Sequence, residues 1–173
     1  MAATNDKLAK VAELKARLWS VRSNAARPLE GLERFVSAQE GVWDIVIPEL
    51  CAGEKRGHWM WYIFPQIIGL GSSSMATRYA IKDLAEAREY LSHQVLGVRL
   101  REAMSTVLMH RGRKTAREIF SDIDAKKLRS SATMYEAESP NDVFKSILDT
   151  FYGGKPCERT LSILGLAQSA DAV

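Results

Sequence analysis

The sequence predicts an all-α fold: a single compact multi-helix domain with one irregular, aromatic-rich segment. Three observations predict it. Apolar residues recur at three- and four-residue steps along most of the chain, capping residues, glycines and prolines punctuate those runs at helix-length intervals, and alternating strand-like runs are missing. Only Ile45 to Ile47 and Trp59 to Ile68 would tolerate an extended backbone. At 173 residues, with 46% hydrophobic and 26% charged side chains, the chain can bury one core and leaves little room for a second.

Residues 1–27 are expected to form a helical N-terminal extension, because Leu8, Val11, Leu14, Leu18 and Val21 fall at helical spacing with charges between them. The domain itself is expected over residues 28–165. It opens with an amphipathic helix over Leu29 to Leu50, whose last turn Pro48 should kink or end. Gly57 to Gln66 is an aromatic run without a clean period, and Gly69 to Ser74 is a turn whose serines can cap a helix starting near Met75. Helices follow over Asp83 to Leu91 and Gly97 to His110, the latter stopped by Gly112. Thr115 to Phe120 is short, and Asp122 or Asp124 can cap the next helix, Ala125 to Tyr135. Ser139 followed by Pro140 reads as an N-cap and first helical position for a helix striped by Phe144, Ile147, Leu148 and Phe151, ended by Gly153 and Gly154. Pro156 opens a last short helix through Leu164, and residues 166–173 are expected to be a disordered tail.

Charge and cysteines narrow the functional classes. Lys7, Lys10, Glu13, Lys15 and Arg17 interrupt the N-terminal apolar residues, which argues against a signal peptide, and no window elsewhere approaches a membrane span. Cys51 and Cys157 belong to no paired spacing, so a reducing, cytoplasmic setting is expected and a disulfide framework is not. The net charge of +3 is mild. The densest basic stretch, Arg111 to Arg117, reads first as a solvated helix end and loop; nucleic acid would require those residues to form one face, and it ranks last among expected partners. His58, His93 and His110 show no ligand spacing, so neither a metal nor a cofactor is expected.

Chemistry could reside in Lys55 to Ser74. Trp59 and Trp61 could stack a planar ligand, or serve as core anchors with His58 hydrogen-bonded beneath them. Ser72 to Ser74, with Arg78 and Lys82 one and two turns into the next helix, could hold an anion, or could be a plain loop and cap. Glu136 and Asp142 flank Ser139-Pro140, where acids suit a helix start; facing the aromatic segment, they could instead assist hydrolysis of a bound sugar.

The run Gly57-His58-Trp59-Met60-Trp61-Tyr62-Ile63-Phe64-Pro65-Gln66, continuing through Gly69-Leu70-Gly71-Ser72, resembles a bacterial family of unknown function that is often mislabelled calpastatin. Further matching pieces include Tyr79 to Ile81, Leu96 to Leu100 and Asp124 to Ser131, and the resemblance spans about Leu32 to Leu164. It implies a mainly helical fold and no established activity. The order of pieces is also similar to the NADAR-type helical proteins, although the tryptophan–glycine pair expected after the acids is missing. That similarity implies N-glycosidic bond cleavage in ADP-ribose-related compounds. The combined reading is a nucleotide- or ADP-ribose-binding helical domain, which could also act as an N-glycoside hydrolase if its acids reach the ligand. Trp59, Trp61 and Gln66 would meet the planar group, Ser72, Arg78 and Lys82 the phosphate, and His58, Glu136 and Asp142 would act in catalysis. The competing class is a non-catalytic protein-interaction module, its partner unknown. The two separate on whether these side chains converge on one cleft.

Overall fold

The structure, a computed structural model, describes residues 31–167. The extension expected over residues 1–27 and the tail from residue 168 lie outside the described residues. Among those described, helix accounts for 64% and no strand forms. One isolated parallel bridge joins Ile67 to Ile81. It ties the end of the aromatic segment to the chain beyond the serine loop, through Ile81 N–H to the Gln66 carbonyl and Ile68 N–H to the Ile81 carbonyl, both at 2.8 Å.

The first expected helix is two. α1 runs Glu33–Glu40 and α2 runs Trp43–Ala52. They part at Gly41 and Val42, where glycine favours the helix least among residues other than proline and Val42 adopts φ −131°, ψ −9°. Pro48 does not end α2, which continues to Ala52 and stops at Gly53 with φ 64°. Burial of Val46 and Leu50 on either side of the proline outweighs the one backbone bond it forfeits.

The aromatic segment holds a single helical turn, α3 (Met60–Ile63), between irregular stretches. α4 (Ser74–Arg78) starts after Ser73, whose hydroxyl accepts from the Ala76 amide at 3.1 Å. Asp83 caps α5 (Leu84–Ser92), and α6 (Leu96–Leu108) folds back on it. That return is close: a Cβ on Gly97 would sit 2.1 Å from the Leu91 carbonyl oxygen, so only glycine fits.

α7 (Ala116–Glu138) merges the two helices expected over this stretch, but it is broken at Ser121, whose φ of 73° and ψ of 170° are non-helical. Thr115, rather than Asp122 or Asp124, caps it through a reciprocal box with Glu118. Asp122 and Asp124 are held elsewhere, by Arg117 and by Lys55 and Lys127. α8 (Val143–Tyr152) is capped by Asp142, not Ser139, because Asn141 turns with φ 65° and delays the helix start beyond Pro140. α9 (Glu158–Ile163) completes the order, and α7 packs against α5, α8 and α9.

Two aromatic clusters fill the core. Tyr90 lies 5.1 Å from Phe35 and 5.6 Å from Tyr135, which in turn lies 5.4 Å from Phe144. Trp59, Phe64 and Phe120 form the second cluster. Each such ring contributes roughly 1.5–3 kcal/mol by leaving water. Two polar groups of α1 find partners inside the core, while the buried Ser131 and Tyr135 hydroxyls have none among the described residues: Arg34 pairs with Glu86 at 2.8 Å, and the Gln39 carboxamide donates to the Tyr62 carbonyl and the Tyr90 hydroxyl. These bonds fix α1 against α5 and the aromatic segment.

Candidate functional site

The aromatic segment is anchored by one carboxylate. Glu49, at the end of α2, accepts from the amides of Arg56 and Gly57 and from the Trp59 indole N–H at 2.9 Å. Burial alone would raise this carboxyl, but the Gly57 and Arg56 amides and the indole outweigh it and hold it below the usual carboxylate range. Gly57 is required beside the ring, since a Cβ there would meet the indole at 2.5 Å. Trp59 is consequently 1% exposed and belongs to the core.

A second carboxylate, Asp124 on α7, joins this segment to the long helix. It accepts from Lys55 Nζ at 2.7 Å and from Lys127 Nζ at 2.8 Å. Burial pushes its carboxyl up, and the two ammonium groups more than reverse that, leaving it below its ordinary value. Lys127 also stands 4.5 Å from the centroid of the Trp61 ring, a cation–π contact that fixes the indole's orientation.

Beyond Trp61 opens a cavity of about 610 Å³. One wall is Trp61, Gln66 and the loop Leu70 to Ser73; a second is the face of α7 bearing Ile123, Lys126, Lys127 and Ser130; Cys157 and Arg159 supply a third. Gly71 permits the loop to close on α4, because a Cβ there would lie 2.7 Å from Ala76 Cβ. Arg129 holds the third wall in place by donating to the carbonyls of Lys155 and Pro156 at 2.9 and 3.0 Å. The Ser130 and Thr160 hydroxyls meet at 2.8 Å, and the Cys157 amide donates to Thr133. Every charged side chain lining the cavity is a cation: Lys126, Lys127, Arg129 and Arg159. Lys127 is matched by Asp124 and Arg129 spends its donors on carbonyls, whereas Lys126 and Arg159 are exposed and make no hydrogen bond or ion pair among the described residues.

Of the residues expected to bind or react, Trp61, Gln66 and Ser72 meet in this cavity. The others do not line it. Trp59 is sealed in the core, His58 is exposed, and Arg78 is exposed with its guanidinium 5.5 Å from the Tyr79 ring. Lys82 is exposed outside it, and its backbone amide donates to Glu86. Glu136 lines a separate depression with Thr133 and Lys145, one oxygen accepting from the Asn141 amide at 3.1 Å. Asp142 caps α8 through the Val143 amide and pairs with Arg101 at 2.9 Å. Its carboxyl is raised by burial but lowered further by the Val143 amide and Arg101, so it stays below its usual range. The sequence reading missed the cations of α7 and Arg159. Their signal was spacing, since Ile123, Lys126, Lys127 and Ser130 recur at steps of three, four and seven along one helix.

Among the described residues, no group of three or more His, Cys, Asp or Glu side chains stands close enough to hold a metal ion, and no helix is long and apolar enough to cross a membrane.

Fold and site together define a small helical domain with a cationic cavity beside an aromatic, serine-bearing loop. The chain belongs to the family described as protein of unknown function DUF1810, which matches residues 29–164. It is similar to the conserved hypothetical protein Rv1873 from Mycobacterium tuberculosis, known from a crystal structure, at 46% identity and a TM-score of 0.75, over 78% of this chain and 96% of that one. No curated protein matches the chain.

Proposed function

We propose that this protein binds a small phosphorylated ligand with a planar ring, a nucleotide or an ADP-ribose-type molecule, in the cavity between Trp61 and α7. The observation that carries the proposal is the lining: an aromatic ring, a carboxamide and two serines face a wall whose charged side chains are all cationic. Phosphate oxygens would take charge-assisted hydrogen bonds from Lys126 and Arg159, worth more than neutral ones. Trp61 offers a stacking surface, and the Gln66 carboxamide offers both donors and an acceptor to a ring's polar rim. A volume of about 610 Å³ falls within the range of ordinary ligand cavities.

Bond cleavage by Glu136 and Asp142 is not part of this proposal. Neither lines the cavity, and Asp142 already serves as cap and ion-pair partner. The carboxylate adjoining the cavity is Asp124, held between two lysines.

A thermal-shift series with AMP, ADP and ADP-ribose tests the proposal. Ligand at about a hundred times its Kd adds ~2.7 kcal/mol to the folded state, a rise in Tm of roughly 5–10 °C. The rise should disappear in the Lys126→Glu/Arg159→Glu double variant. A flat response across the series, or a rise the double variant retains, removes this cavity as the binding site.

A further inference from the structure

The cavity is one end of a longer groove. A second depression, lined by Thr115, Arg117, Phe151 and Tyr152, shares Lys126 and Arg129 with it. A third, lined by Arg113, Lys114 and Glu118, shares Thr115 and Phe151 with the second. The three therefore follow one another along α7, from the Trp61 end to the turn that precedes the helix. Residues Asp122 to Ser130 alone account for about 12 Å at the helical rise.

Cations outnumber acids along the groove. Arg113, Lys114 and Arg117 line its far end and Lys126 and Arg129 its middle. The acids that reach it are already engaged, Asp122 by Arg117 and Glu118 by the Thr115 cap, whose amide and hydroxyl hold that carboxyl below its usual range. Rings alternate with these cations: Trp61 at one end and Phe151 between the second and third depressions, both half-buried. The basic residues of the 111–117 stretch that would have to share a face for nucleic acid to bind thus largely do so, and that face runs into the cavity.

We infer that the groove binds a single-stranded nucleic acid, with one nucleotide in the cavity and the phosphate backbone continuing past Lys126 toward Arg113. A cationic track interleaved with rings suits this polymer, because phosphates repeat at regular intervals and every base has a face that can stack. The inference rests on the cavity reading above and extends it from a free nucleotide to a strand.

Fluorescence anisotropy with a labelled oligonucleotide of about 12 nucleotides, within the ~4–16 nucleotide sites usual for such grooves, tests it on the full chain. The oligonucleotide should bind more tightly than AMP. Its affinity should fall on the order of fifty-fold between about 50 and 200 mM salt if four phosphates are contacted, since each contributes roughly −0.7 to the logarithmic slope. Arg113→Glu lies outside the cavity, so it should leave the thermal shift with AMP unchanged while reducing the oligonucleotide's salt slope by roughly 0.7–1. Lys126→Glu should weaken both ligands. An oligonucleotide bound no more tightly than AMP overturns the strand and leaves the nucleotide site standing. Arg113→Glu without effect on the oligonucleotide, or polyglutamate competing as well as the nucleic acid does, overturns it too.

Discussion

Lys55 and Lys127 reach one carboxylate from opposite sides, and that single residue, Asp124, sets the near wall of the cavity. Lys55 is largely buried, donates also to the Gly57 carbonyl at 2.7 Å and lies 5.1 Å from the Trp59 ring centroid. An ammonium in such a place is tolerable only while its partner is ionised. Asp124→Asn keeps the shape and removes the charge, so it should cost about 2–3 kcal/mol of unfolding free energy by urea denaturation, the usual scale for hydrogen bonds to charged groups. It should also free Lys127 from its station over Trp61, which near-ultraviolet circular dichroism of the indole would register. Unchanged stability would mean that both lysines are satisfied without the carboxylate.

Element boundaries show what could be read in advance and what could not. Local chemistry gave the helices after the serine loop: Ser73 and Asp83 cap where side-chain acceptors precede apolar periodicity, and the left-handed glycines 112 and 153 follow helix ends. The reading failed where tertiary bonds claim the same atoms. Asp122 and Asp124 look like caps in sequence, but lysines and an arginine from other turns or elements take their oxygens, and Thr115 with Glu118 caps α7 instead. The cavity was half legible for the same reason. Trp61, Gln66 and Ser72 lie within one conspicuous segment, while Lys126 joins them from the face of α7 and Arg159 from the wall that Arg129 pins by the Lys155 and Pro156 carbonyls. Thr115→Ala should therefore lower stability by about 1 kcal/mol, the usual loss for an N-cap, and Asp122→Ala should lower it far less, because the Arg117–Asp122 pair is exposed. Equal effects in thermal denaturation would return Asp122 to the role of cap.

Across the whole molecule, carboxylates join elements distant in sequence, and this fixes how stability should respond to acid. Glu49 clamps the aromatic segment to α2, Asp124 joins that segment to α7, and Asp142 fastens α8 to α6 through Arg101. Each is held below its ordinary range in the folded chain despite burial, by amides, an indole or cations. The unfolded chain, with carboxyls near their reference values of about 4, therefore takes up protons first as pH falls. The stability these groups contribute is fully present above that value and is lost as pH drops through the lower, folded values. Unfolding free energies from urea titrations should be nearly constant from about pH 7 to 5.5 and decline steeply below about pH 4, by up to ~1.4 kcal/mol per pH unit for each such group. The Asp124→Asn variant, lacking one of the three, should start from lower stability and show a shallower acid limb. A limb of the same slope in that variant would show that Asp124 titrates alike in folded and unfolded chains, and its place between the two lysines would then confer no acid sensitivity on the fold.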